Sequence, residues 1–266
     1  MSYLISLLEG LPLYLLSLPV LLLAFSVHES AHGYVAYKLG DPTARSLGRL
    51  TLNPIKHIDP IGFICMMVFH VGWAKPVPIN ARYFKKPKRD MALTGAAGPL
   101  SNLALALLHV IVLRIIMFAA TPAFRKESFD VFYGMAGSMF AGGVYKASLE
   151  YTAMALVIYL LYLGTMLNVS LAIFNLIPVP PFDGSRIFYA FLPPKLYWGV
   201  MKYERIIMMV MLILFCMGFL DTPLSWLLET ITGWFFTITG MNSGDTGTTL
   251  NTMIVYIHQL FTLSFS

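Results

Sequence analysis

The chain has 266 residues, 58% hydrophobic and only 12% charged, against roughly 25% charged in a soluble domain; this excludes a water-exposed globular body and indicates an integral membrane protein. The formal net charge of +5 does not point to nucleic acid, because the basic residues sit beside apolar runs, where they set orientation in a bilayer. Cys65 and Cys216, the only cysteines, each lie in an apolar stretch without CxxC spacing, which argues against a disulfide framework or a cysteine-built metal site.

A membrane-crossing helix needs about 20 mostly apolar residues. Residues 11–37 form the first such run. No Lys or Arg precedes Lys38, so the run lacks the basic start of a signal peptide and reads as a retained anchor. Residues 61–71 are apolar but too short to cross, and Gly72-Trp73-Ala74-Lys75-Pro76-Val77-Pro78-Ile79 follows. Two prolines two apart exclude a helix there and suit an extended segment. Together they predict a re-entrant element, with backbone shielded by protein or lining a wet cavity. For His70, within it, a structural role is the favoured reading.

Residues 91–120, 151–174 and 206–220 predict three further spans, the last of them short. Residues 224–239 and 253–265 are apolar but shorter, and read as interfacial helices of which one has the composition to span. The loop after the first span carries Lys38, Arg45, Arg49, Lys56, Lys75, Arg82, Lys85, Lys86, Lys88 and Arg89, and the loop after the third carries Arg186, Lys195, Lys202 and Arg205. The positive-inside rule puts both loops in the cytoplasm and both termini outside. Between the second and third spans, Arg125, Lys126 and Lys146 are offset by Glu127, Asp130 and Glu150, which fits the outer side. No stretch between spans is long enough for a separate soluble domain, so residues 1–266 read as one membrane domain, with a core over about 11–190 and peripheral helices over 204–266.

The sharpest chemical signal is His28-Glu29-Ser30-Ala31-His32, an H-E-x-x-H. Four residues apart on a helix, the two imidazoles share a face and can bind one ion. Glu29, beside them, is placed to act as general base. Zinc suits imidazole and accepts three protein ligands with a fourth position open. Three ionisable residues inside an apolar span are costly and point to function. A third ligand is required, and Asp183 is the candidate, in Asn175-Leu176-Ile177-Pro178-Val179-Pro180-Pro181-Phe182-Asp183-Gly184. It follows the third span where the chain emerges toward the cytoplasm, at the depth of His28 and His32; an ordinary Asp-Gly turn is the competing reading. Asn175, at the polar end of that span, reads equally as a helix C-cap and as a donor to a substrate carbonyl or oxyanion. Asn102 follows the small-residue run Gly95-Ala96-Ala97-Gly98, where packing is the first reading and a polar contact to the site the second. His57 and Asp59 suit a capped turn better than an accessory metal or proton-relay site.

These residues resemble the site-2 proteases, intramembrane zinc metallopeptidases. His28 to His32 is similar to their first motif, and Asn175 to Gly184 to their second, an Asn-x-x-Pro element ending in Asp-Gly. Leu47-Gly48-Arg49-Leu50-Thr51-Leu52-Asn53-Pro54, His57-Ile58-Asp59-Pro60 and Trp73-Ala74-Lys75-Pro76-Val77-Pro78 resemble the compact bacterial and archaeal branch, without a PDZ or CBS domain. The resemblance covers roughly residues 20–190. It implies an all-α polytopic membrane protein with a three-helix catalytic core, peripheral helices and a small re-entrant β element. It implies one Zn2+ per chain on His28, His32 and Asp183, Glu29 as general base, and Asn175 holding substrate, with Asn102 as a further candidate contact. The segment carrying Trp73, Lys75, Pro76 and Val77 would offer an edge to an unwound substrate strand. The implied substrate is a single-pass membrane protein cut in or near its transmembrane segment, in the cell membrane with the active site toward the cytoplasm. A metal-ion transporter or channel using the same ligands, and an inactive relative that binds membrane proteins, are the alternatives. The oligomeric state is not legible.

Overall fold

A computed structural model describes residues 2–69, 73–120, 124, 127–128, 130–131, 148–193, 196, 199–200 and 202–241. His70, Gly72, His258 and the apolar run 253–265 lie outside the described residues. Three long helices dominate: α1 Ser2–Lys38, α4 Pro87–Ala119 and α5 Leu149–Leu176. Between the first two lie the short α2 Thr43–Ser46 and α3 Pro60–Phe69. After α5 come α6 Asp183–Phe191, α7 Glu204–Cys216 and α8 Asp221–Ile238.

Among the described residues, three helices are long and apolar enough to cross a membrane: Leu15–Lys38, Pro87–Ala119 and Leu149–Leu176. They correspond to the first three expected spans. The fourth expected span, 206–220, is corrected. Its helix α7 has only 13 residues, about 20 Å at 1.5 Å per residue, against a hydrocarbon core of about 30 Å. The chain stops it with a Schellman turn: Gly218 takes φ 70°, and the Phe219 amide bonds back to the Leu214 carbonyl at 3.1 Å. Apolar composition continues past Cys216, but the backbone turns.

Among the described residues, the expected β element is a single antiparallel bridge, Ile58 to Ala74, rather than a sheet. Residues 73–80 are otherwise extended or irregular. Asp59 caps α3, its Oδ1 accepting from the amides of Ile61 at 3.0 Å and Gly62 at 2.9 Å.

The chain forms two compact units, one of Met1–Val20, Leu107–Met166 and Ile231–Ser266, the other of Leu21–Ala106 and Leu167–Thr230. The first has an apolar interior in which Val110, Leu113, Met117, Ile158 and Tyr162 are fully buried. Phe236 stacks on Tyr162 with ring centroids 6.2 Å apart. The second unit holds a buried polar interior instead, with His28, His32, Thr94, Asn102 and Asn168 withdrawn from solvent. Polar groups placed there must find partners, and those partners define the site.

Candidate metal centre

Four residues of helix separate His28 from His32, which puts both imidazoles on one face of α1. Their rings meet edge to face, with centroids 4.6 Å apart, and their Nε2 atoms lie 3.0 Å apart. Asp183 Oδ2 is 3.0 Å from each Nε2. These three atoms form the one group of potential metal ligands among the described residues.

Each imidazole is oriented from behind. His32 Nδ1 lies 2.6 Å from the carbonyl oxygen of Thr94, which can only accept, so that nitrogen carries the proton. His28 Nδ1 lies 2.5 Å from Asn102 Oδ1. Both Nε2 atoms therefore present lone pairs to each other and to the carboxylate. Three lone pairs converging at 3.0 Å repel unless a cation lies among them. Tetrahedral ligands at zinc bond lengths are spaced by about 3.3 Å, so the donor set and its spacing fit one zinc ion. Burial pushes the Asp183 carboxyl up, but hydrogen bonds from His28 and His32 outweigh it and hold it well below the usual carboxylate range.

Two glycines of α4 make the approach possible. A Cβ on Gly98 would sit 2.4 Å from His32 Nε2 and 2.6 Å from His28 Nε2, inside contact distance, so the helix backbone itself forms the wall beside the histidines. A Cβ on Gly95 would meet the Asp183 carbonyl at 3.1 Å. On the other side, a Cβ on Gly184 would sit 2.3 Å from the Leu176 carbonyl; only glycine lets α6 fold back against the end of α5. Asp183 opens α6, where a carboxylate also meets the positive end of the helix dipole.

Glu29 is half-buried, and its Oε2 accepts the Val77 amide at 2.8 Å. The extended segment lies over this face of α1. Lys75 donates its amide to the His57 carbonyl at 2.8 Å and accepts at its own carbonyl from Arg49 Nη2 at 2.7 Å. His57 Nε2 donates to the Thr51 carbonyl at 2.7 Å, and Ser30 Oγ donates to the same carbonyl at 2.6 Å. At the far end, the buried Asp41 accepts the Asn80 amide on Oδ2 at 2.7 Å and the Thr43 amide on Oδ1 at 3.0 Å. Trp73, Lys75 and Pro76 are exposed, and Val77 is buried.

Not every candidate reaches the donor triangle. Asn175 bonds its own helix, Nδ2 donating to the Leu171 carbonyl at 2.9 Å. Asn102 is fully buried and lies behind His28. His57 is a strut for the loop, as its bond to Thr51 requires. Two residues without a prior sequence reading enter the site: Thr94, through its backbone carbonyl, and Asn168, whose Oδ1 accepts from Asn102 Nδ2 at 2.7 Å. Asn168 is an amide within an apolar span, a signal of the kind that marks function in membranes.

The model of the family described as Peptidase family M50 matches residues 16–218. The Bacillus subtilis protein named "Putative zinc metalloprotease YwhC" is 40% identical over 195 residues, 73% of this chain and 77% of that protein. The Mycolicibacterium smegmatis protein named "Putative zinc metalloprotease Rip2" is 24% identical over 226 residues, 84% of this chain and 73% of that protein. A Mycobacterium tuberculosis protein of the same name is 25% identical over 221 residues, 81% of this chain and 68% of that protein. No solved structure matches at a comparable level.

Proposed function

This chain belongs to peptidase family M50, the site-2 protease family, and from that premise we propose that it is an intramembrane zinc metalloendopeptidase. Its substrate is a single-pass membrane protein, cut in or near the transmembrane segment as a step of regulated intramembrane proteolysis. The observation that carries this is the convergence of His28 Nε2, His32 Nε2 and Asp183 Oδ2 at 3.0 Å, with Glu29 one residue along the same helix.

His28, His32 and Asp183 hold the ion. Held there, zinc would supply Lewis acidity toward a scissile carbonyl and toward the attacking water. Glu29 takes the proton from the attacking water and delivers it to the leaving amine; its Oε2 is held by the Val77 amide, which leaves Oε1 for proton transfer. The extended segment bearing Trp73, Lys75, Pro76 and Val77 is a surface for an unwound substrate, since helical amides are shielded from attack. The Lys and Arg distribution supports a site open toward the cytoplasm.

Purified wild type and Glu29→Gln, in detergent, test the reading through zinc content and cleavage of a panel of transmembrane peptides. The expected result is about one zinc in both and cleavage by wild type alone. Equal cleavage by both proteins overturns the role of Glu29, and a wild type that takes up no zinc overturns the metal centre.

A further inference from the structure

We infer that Asn102 and Asn168 form a positioning relay that decides which nitrogen of His28 faces the metal, an inference that rests on the metal-centre reading above. A neutral imidazole carries its proton on one nitrogen and a lone pair on the other, and only the lone pair binds a metal. For His32 the choice is made by a backbone carbonyl. For His28 the neighbour is a side-chain amide, which offers an oxygen one way round and an NH2 the other. An Asn flipped by half a turn would present NH2 to Nδ1 and drive the proton onto Nε2, the atom that must bind.

The surroundings of Asn102 forbid that flip. Its nitrogen lies 3.3 Å from the carbonyl oxygen of Ala24, one turn before His28 on α1, and a carbonyl can only accept. It also lies 2.7 Å from Asn168 Oδ1. Two N–H bonds thus meet two acceptors, and Oδ1 is left to face His28 Nδ1 at 2.5 Å. Asn102 and Asn168 are both wholly buried, and a flipped amide would set its carbonyl against the Ala24 and Asn168 oxygens. Buried amides in the membrane-spanning helices α4 and α5 are retained at a cost; orienting a ligand histidine is a use that repays it. The relay runs from α5 through α4 to α1, and each of the three helices supplies one link.

The test is zinc affinity of the full chain in detergent, measured by competition with a chromophoric chelator, with helix content followed in parallel. Outer partners of this kind change metal affinity by about 10–100-fold. Asn102→Ala is expected to lose that much. Asn102→Asp keeps an acceptor toward His28 but sets its second oxygen against the Ala24 and Asn168 oxygens, so only part of that loss is expected to be recovered. Asn168→Leu removes the acceptor that holds the amide and is expected to weaken zinc although it lies a residue away from any ligand, while Asn168→Asp keeps an acceptor and stays near wild type. A structural role alone would weaken the conservative and non-conservative variants together. The relay is overturned if a folded Asn102→Ala binds zinc as wild type does, or if Asn168→Leu and Asn168→Asp are equal; the second pair decides the matter should Asn102→Ala fail to fold. A wild type without zinc overturns the metal-centre reading instead.

Discussion

The amide of Val77 donates to the carboxylate of Glu29 at 2.8 Å, and it is the only backbone N–H between Pro76 and Pro78, neither of which has one. The proposed general base is therefore held by the segment proposed to receive substrate. Val77→Pro removes that donor, whereas Val77→Ala keeps it. In assays of zinc content and turnover, Val77→Pro is expected to retain zinc and lose kcat by about tenfold or more, with the 10²–10⁴-fold that general-base catalysis supplies as the ceiling. Val77→Ala is expected to stay close to wild type in kcat. Equal kcat in both variants would separate Glu29 from this amide.

Gly98→Ala puts a methyl group 2.4 Å from His32 Nε2. The two histidines cannot both keep their positions, so zinc binding is expected to be lost. Gly95→Ala meets its nearest neighbours at 3.1 Å, a separation that small shifts relieve. Chelator competition should rank zinc affinity as wild type, then Gly95→Ala, then Gly98→Ala, and a zinc-loaded Gly98→Ala would contradict the wall formed by α4.

Asp41→Ala deletes the acceptor of the Asn80 and Thr43 amides. Each lost bond that leaves a buried donor unsatisfied costs about 1–3 kcal/mol. The cost falls on the start of α2 and on the extended segment, not on the donor triangle. Limited proteolysis is expected to open residues 73–80 first, with zinc content preserved; unchanged cleavage there would show that Asp41 does not hold the segment down.

Protons and zinc compete for the same atoms, so zinc affinity is expected to fall as pH falls. The sign for Asp183 is that of a depressed carboxyl: in metal-free protein its contribution to stability is present above the unfolded value of about 3.9 and is lost as pH falls through its lower folded value. Mild acid is therefore expected to release zinc while Asp183 stays ionised. Calorimetry in buffers of different ionisation enthalpy reads the proton count; a count that is unchanged in Asp183→Asn fits this assignment, and a smaller count contradicts it.

How much of this was legible in the sequence depends on whether a role has a residue signature. His28, Glu29 and His32 are contiguous and of rare type for an apolar run, so they announce themselves. Asp183 is remote by 151 residues from His32, and becomes visible only when the charge pattern sets its depth beside a Pro-rich Asp-Gly. Thr94 acts through its carbonyl, which any residue would supply, so no side-chain pattern marks it. Asn168 was visible as an amide among apolar neighbours, yet its partner Asn102 lies 66 residues away and only packing joins them. The first three spans followed from hydropathy. The fourth did not, because hydropathy is blind to a left-handed Gly218 that ends α7 within an apolar stretch.

The extended segment, finally, has an asymmetry of its own. Lys75 gives its amide to His57, Val77 gives its amide to Glu29, and the two prolines have none to give. A guest strand lying here would find few N–H groups to donate to its carbonyls, and the Lys75 carbonyl already accepts from Arg49. An edge so short of donors would hold a guest strand loosely and is a poor template for pairing with a second copy of the chain.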